Sequence, residues 1–155
     1  MAAAKNPPVE SDADHTIGTT RVIAASPARL FEAFRDSHQL EQWWGPMGFT
    51  CTIQEFDLRP GGQWRLVLHG PDGADDKNEK VFTAVVPGER IVFRHLDPVH
   101  AFEMTIAYAA RDAGTWVTWR LVSDSVAECV RVRAIVTEAN EQNLDRFESH
   151  VRTLP

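Results

Sequence analysis

Cysteine, tyrosine and long apolar runs are scarce in this sequence. Its 155 residues include two cysteines, Cys51 and Cys129, and a single tyrosine. Two cysteines are too few for a disulfide framework, and neither lies in a CxxC pair or in another spacing typical of zinc ligands. We therefore expect two reduced thiols, no metal site and no cofactor.

Segments that direct a protein to a membrane are also missing. No run approaches the ~18 apolar residues of a membrane span, and residues 1–13 lack the apolar core of a signal peptide. We expect a cytoplasmic protein that does not bind membranes. Residues 1–13 are predicted to form a disordered N-terminal tail, and residues 14–155 a single domain.

Positive charge is nowhere concentrated in the chain. The net charge is −6 and the pI is near 5.5, so attraction to the phosphates of a nucleic acid is not expected. Hydrophobic residues make up 43% of the chain and charged residues 25%, which are values typical of a globular domain. A chain of this length buries about two thirds of its unfolded surface, enough for one core with an internal hollow.

The most informative stretch is the sequence Trp-Trp-Gly-Pro at residues 43–46. Two adjacent indoles are costly to expose to water, and a Gly-Pro pair stops a helix that ends in them. Ser26 predicts the N-cap of one short helix and Ser37 the N-cap of a second, which ends at Trp44. We interpret the two rings as one wall of a pocket.

A series of strands surrounds and follows these two helices. Thr, Ile and Val enrichment or period-two alternation predicts seven of them, over residues 14–24, 49–58, 64–68, 81–86, 91–96, 102–108 and 115–122. The short Gly- and Pro-containing connections indicate an antiparallel meander. The polar segment 70–80 is predicted to be a mobile hairpin loop.

One long helix is predicted at the C-terminal end, from Val126 to about Val151. At 100° per residue, one wide side of this helix is apolar, as a helix clasped by a curved sheet requires. The residues on that side are Val130, Ala134, Leu144, Phe147 and Val151.

Five motifs occur in a fixed order: WWGP at 43–46, RPGG at 59–62, GPDG at 70–73, VPGERIVF at 86–93 and LDRF at 144–147. In this order they resemble the single-domain bacterial proteins of the SRPBCC (START-like) superfamily, in the branch related to activators of the heat-shock chaperone ATPase. The resemblance implies an α+β helix-grip fold, in which six or seven antiparallel strands curve around the C-terminal helix and leave a deep apolar cavity.

The resemblance also implies a range of functions. Relatives bind lipids, sterols, polyketides or plant hormones in this cavity, and some are cyclases or hydrolases. Many members carry a Gly-Trp pair in the last helix, where this chain has Ala139 and Asn140. This departure implies a more polar and roomier cavity.

A set of aromatic, aliphatic and polar residues is predicted to bind the ligand, although any one of the rings could equally belong to the core. The set comprises Trp43, Trp44, Phe49, Trp64, Phe93, His95, Met104, Ile106, Trp119, Arg133, Asn140, Leu144 and Phe147.

Three members of the set are polar. His95 shares the strand parity of Ile91 and Phe93, so it is expected to face inward, or else to reach solvent or a backbone carbonyl at the strand end. Arg133 lies within the apolar arc of the last helix, where it would bind an anionic ligand, pair with a carboxylate or reach out to solvent. Asn140, on the same face, would orient a ligand carbonyl or hold a water molecule.

These observations favour a module that binds a small hydrophobic molecule such as a lipid, a polyketide or an aromatic compound. The first alternative is an enzyme of the polyketide cyclase or hydrolase kind, in which His95, Arg133 or Asn140 would supply proton transfer or carbonyl polarisation. The sequence shows no clear acid/base pair for it, so no catalytic residue is assigned. The second alternative is a chaperone-associated or stress-response interaction protein, since the resemblance permits a chaperone partner. A homodimer is also compatible with the sequence.

Overall fold

The computed structural model describes residues 14–155, so the tail predicted at residues 1–13 lies outside the described residues. Within this range the chain forms seven strands and three helices. In order, these are β1 (Thr16–Ile23), α1 (Pro27–Arg35), α2 (Ser37–Trp43), β2 (Thr50–Phe56), β3 (Gln63–His69), β4 (Asp75–Val86), β5 (Arg90–Leu96), β6 (Phe102–Arg111), β7 (Gly114–Ser123) and α3 (Val126–Arg152).

The strands form one antiparallel sheet in the order β1-β7-β6-β5-β4-β3-β2. Strands β2 to β7 follow one another as a meander, and β1 pairs with β7 to complete the sheet. The sheet curves around α3, and α1 and α2 lie between β1 and β2 in the chain. The predicted α+β helix-grip fold is therefore confirmed. Among the described residues, no helix combines the length and apolarity needed to cross a membrane.

The helix ends follow local chemistry. Ser26 caps α1, as predicted, by accepting a hydrogen bond from the backbone N–H of Arg29. The predicted cap of α2 is wrong by one residue, because Asp36 accepts from the N–H of His38 and Ser37 is already helical. At the other end, Gly45 adopts a φ of 110°. Only glycine takes up that conformation readily, so the chain can turn sharply there.

The predicted hairpin loop is shorter than residues 70–80. Strand β4 begins at Asp75, and the turn is closed by a hydrogen bond of 2.8 Å from the N–H of Gly70 to the carbonyl of Ala74. The charged composition of this segment hides a continuing alternation, in which Asn78, Lys80 and Phe82 all face the interior. The sheet ladder therefore overrides the loop propensity of the polar residues.

The apolar face of α3 was predicted wrongly in its first half. Val130 is 61% exposed and Ala134 is also exposed. The side facing the sheet is instead formed there by Cys129, Val132 and Val136, all buried or half-buried. Apolar residues occupy both sides of this half of the helix, so periodicity alone could not choose between them. From Leu144 onward the predicted face is confirmed.

The core is dominated by aromatic rings beneath α1 and α2. Phe34 is surrounded by rings from α2 and from the sheet, and the Trp64 and Phe82 rings stack with centroids 5.7 Å apart. This aromatic cluster fills one end of the space between the sheet and the helices.

Two side chains of α3 hold the corner that follows α2. Asn143 Nδ2 donates to the carbonyl of Trp43 at 2.7 Å, and Arg146 Nη1 donates to the carbonyl of Gly45 at 2.9 Å. Arg146 also lies within hydrogen-bond distance of the carbonyls of Gln42, Trp44 and Pro46. These bonds fix the two adjacent tryptophans relative to α3.

We expect Asn143→Leu to destabilise the protein by about 1–3 kcal/mol, because the substitution leaves the buried carbonyl of Trp43 without a donor. The control is Glu138→Leu on the exposed side of α3, which should change the free energy of unfolding by less than about 0.5 kcal/mol. Urea unfolding measures both. An Asn143→Leu protein as stable as the control would show that this hydrogen bond does not hold the corner.

Candidate functional site

A cavity of about 200 Å³ lies between the concave face of the sheet and the middle of α3. Its walls are mostly aromatic and aliphatic, with a few polar groups from β4 and α3. The lining residues are Trp44, Gly45, Pro46, Leu68, Asn78, Lys80, Phe93, Phe102, Met104, Trp119, Leu121, Val136, Ala139, Asn140 and Asn143.

Five residues that the sequence predicted as ligand contacts line this cavity, namely Trp44, Phe93, Met104, Trp119 and Asn140. They come from the end of α2, from three strands of the sheet and from α3. Asn140 Nδ2 is buried and has no hydrogen-bond partner among residues 14–155. This amide makes the wall more polar.

The other apolar residues of the predicted set do not line the cavity. Trp43 packs against Phe147 with centroids 4.4 Å apart, and its indole N–H donates to the carbonyl of Ala33. Phe49 lies beside Gly45 and Gly70, at the outer edge of the corner. The remaining three, which are fully buried in the core, are Trp64, Ile106 and Leu144.

Arg133 is directed away from the cavity. Its Nη1 donates to the backbone carbonyl of Thr16 at 2.7 Å, and its Nη2 lies 3.5 Å from the sulfur of Cys129. The guanidinium thus ties α3 to the start of β1. Helical periodicity predicts Arg133 within the apolar arc of the helix, and in the structure its charge lies at the edge of the sheet.

Sequence reasoning missed the most unusual residue of the cavity, Lys80. The side chain is 3% exposed and its Nζ donates to Asn78 Oδ1 at 2.7 Å. His95 Nδ1 lies 3.3 Å from the same nitrogen. The ring centroids of Trp64 and Phe93 lie 5.2 and 5.7 Å from Nζ, within the range of a cation–π interaction. We refer to Lys80, Asn78 and His95 as the Lys80 cluster.

The sheet register explains how the Lys80 cluster forms. Lys80 on β4 is paired with Trp64 on β3 and with His95 on β5. His95 is in turn paired with Phe102 on β6, and the two rings stack at 4.8 Å. One transverse row of the concave face therefore carries a lysine between aromatic neighbours. The period-two alternation of Asn78, Lys80 and Phe82 was the available signal, masked by the charged residues between them.

Burial governs the protonation of this cluster. It lowers the pKa of Lys80 from 10.5 to about 7, partly opposed by the carboxylate of Asp76. It also lowers the pKa of His95 to about 4, with a further contribution from the charge of Lys80. At neutral pH the imidazole is therefore uncharged, and the lysine is divided between ammonium and amine.

The two cysteines differ in their surroundings. Burial raises the pKa of Cys51 to about 12, so this thiol is protonated and a poor nucleophile at neutral pH. Cys129 lines a second hollow of about 260 Å³, beneath the first half of α3. This second hollow shares Phe102, Leu121 and Val136 with the cavity. In the part of the chain that the structure describes, no three His, Cys, Asp or Glu side chains are grouped to hold a metal ion.

A curved antiparallel sheet around a long C-terminal helix, with a hollow between them, defines a helix-grip domain of the START-like class. The family described as activator of Hsp90 ATPase homolog 1-like protein matches residues 24–152. The chain therefore belongs to this family, which confirms the resemblance inferred from the five motifs. A search of curated proteins finds no match.

Solved structures with the same fold come from several bacteria. A protein from Nitrosomonas europaea has 17% sequence identity and a TM-score of 0.83, over 94% of this chain and 98% of the other. A protein from Chromobacterium violaceum has 26% identity and a TM-score of 0.76, over 90% and 99% of the two chains. The AHSA1 protein from Silicibacter pomeroyi has 19% identity and a TM-score of 0.72, over 88% and 97%.

We expect the stability of the protein to rise with pH between about 7 and about 9, by up to ~1.4 kcal/mol per pH unit; above that range the raised pKa of Cys51 gives an opposite slope. The reason is that Lys80 keeps its proton in the unfolded chain over this range and loses it in the folded one. Lys80→Met removes the buried charge without a large change in volume, so it should stabilise the protein below pH 7 and abolish this slope.

Lys77→Met is the matched control, since Lys77 is an exposed lysine on the opposite face of the same strand. Urea unfolding across the pH range measures the slope in each protein. Parallel pH profiles for wild type and Lys80→Met would show that Lys80 keeps its ordinary pKa.

Proposed function

We propose that this protein binds a small apolar molecule in the cavity between the sheet and α3. The observation that supports the proposal most directly is the hollow itself. It has a volume of about 200 Å³ and a mostly apolar lining. An apolar wall with a few convergent polar groups is the usual composition of a ligand pocket.

The size of the cavity favours a compact ligand. Ligand pockets commonly measure about 300–1,000 Å³, and about 200 Å³ is below that range. A fused bicyclic ring system is an appropriate occupant, while a long lipid chain would have to extend into the second hollow, which shares Phe102 with the cavity. We propose Trp44, Phe93, Met104 and Trp119 as the apolar contacts and Asn140 as a polar one.

A second candidate function is an enzyme of the cyclase kind, and the Lys80 cluster favours it. A lysine amine with a pKa of about 7 is suited to act as a general base on an enolisable carbonyl compound.

If Lys80 acts as such a base, wild-type protein should accelerate deuterium exchange at the methyl group of methyl naphthyl ketone above pH 7. Lys80→Met should lose this activity and Lys77→Met should keep it; equal rates in all three would remove this candidate.

Other assignments remain predictions of the sequence and of the family. They are a chaperone partner, a role in the stress response, a homodimer and a cytoplasmic location.

Filling the cavity tests the binding proposal. We expect Ala139→Leu to weaken the binding of neutral methyl naphthyl ketone by about tenfold or more. The reason is that the larger side chain fills part of the cavity and sterically excludes the ligand. Ala134→Leu adds the same side chain on the exposed face of α3 and should leave the affinity unchanged. Quenching of the fluorescence of Trp44 and Trp119, both in the cavity wall, reports binding.

Thermal unfolding of both variants checks that the fold is intact. Binding of the ketone to wild type and to Ala139→Leu with the same affinity would place its site elsewhere. Absence of binding to wild type at any accessible concentration would contradict the proposal for this ligand class.

A further inference from the structure

We propose that the cavity selects apolar carboxylic acids, with Lys80 Nζ and Asn140 Nδ2 binding the carboxylate and the aromatic walls enclosing the apolar body. This inference rests on the proposed function, because it assigns the chemical class of the ligand that the same cavity binds. It transfers the predicted anion-binding role from Arg133, whose charge is used at the edge of the sheet, to a lysine inside the cavity.

The first argument is the lack of a counter-ion. Lys80 lines the cavity and is almost fully buried, yet no carboxylate among residues 14–155 forms a salt bridge with it. Asp76 influences it only at longer range and is itself exposed. A buried ammonium without a partner is strongly unfavourable. An anionic ligand group would supply the missing charge.

The second argument is a count of hydrogen-bond donors. An ammonium has three N–H groups, of which Asn78 Oδ1 and His95 Nδ1 can accept two. The amide of Asn140 adds a buried nitrogen that has no acceptor in the described part of the chain. Two elements on opposite sides of the cavity thus present donors that the protein does not use. A carboxylate, with two oxygens and no hydrogen, can accept from both.

The same count disfavours other ligand groups. An amine would find no carboxylate to bind in the lining, and a doubly charged phosphate would exceed the single positive charge of Lys80. A neutral carbonyl can accept a hydrogen bond, but it gives no charge-assisted bond to the ammonium. A monoanionic carboxylate is therefore the group that matches both the charge and the donors.

The pH dependence of binding follows from the groups around Lys80. His95 on β5 is uncharged above pH 4 or so, Cys51 on β2 keeps its proton, and Asp76 on β4 is exposed to solvent. Of these four groups, only Lys80 therefore changes charge near neutrality. A carboxylate should bind tightly while Lys80 is protonated and lose affinity by about tenfold per pH unit above its pKa. At high pH, binding should be accompanied by uptake of a proton.

The test compares two probes of nearly the same shape, naphthoate and neutral methyl naphthyl ketone. At about pH 6, we expect the affinity of wild type for naphthoate to exceed its affinity for the ketone by about tenfold or more. Lys80→Met should bring the two probes to similar affinity by weakening naphthoate alone. The control Lys77→Met should keep the preference, and Lys80→Arg, which retains the charge, should keep part of it.

Calorimetry gives a measurement on wild type that does not depend on the folding of any variant. Near pH 8, titrations with naphthoate in buffers of different ionisation enthalpy should show proton uptake, whereas titrations with the ketone should show none. Equal affinities of the two probes for wild type at every pH would overturn the inference while leaving apolar binding intact. If neither probe binds, the proposed function itself fails.

Discussion

The position of the cavity depends on how α3 holds the end of α2. Asn143 and Arg146 donate to consecutive backbone carbonyls at this corner. The corner cannot shift without leaving buried acceptors unpaired, which costs about 1–3 kcal/mol for each group. The two adjacent tryptophans are thereby given different environments. Trp43 is packed into the core against Phe147, while Trp44 forms part of the cavity wall.

The hollow lies where the large side chains of the inner surface give way to smaller ones. Toward the end of α3, Leu144 and Phe147 fill the space against the sheet, and the aromatic cluster around Phe34 and Trp64 continues that filling. One turn earlier, α3 presents Ala139 and Asn140. Their short side chains do not fill the space between the helix and the side chains of the facing strands. The void is thus a consequence of sequence at two adjacent helical positions, and it is bordered by a rigid core.

Local sequence signals predicted the fold well, because caps, turns and strand alternation are short-range properties. Ser26 at the start of α1 and the start of α3 at Val126 are examples. The residues of the candidate site were harder to predict from the sequence. Five of the predicted residues line the cavity, whereas Trp43, Ile106 and others lie outside its lining. Parity gives the face on which a side chain lies and says nothing of its depth. Lys80 escaped notice because its strand has the composition of a loop.

Lys80 shows why an unfavourable residue can be informative. A methionine would fill nearly the same volume beside Trp64 and Phe93 without the several kcal/mol that burial of an ammonium costs. The contacts to Asn78 and His95 offset part of that cost, but the low pKa of the lysine shows that much of it remains. We interpret this residual cost as a sign that the position serves reactivity or binding. Lys80 lines the same cavity as Asn140, whose buried Nδ2 has no partner in the described part of the chain, and this supports the proposal that a ligand carboxylate binds there.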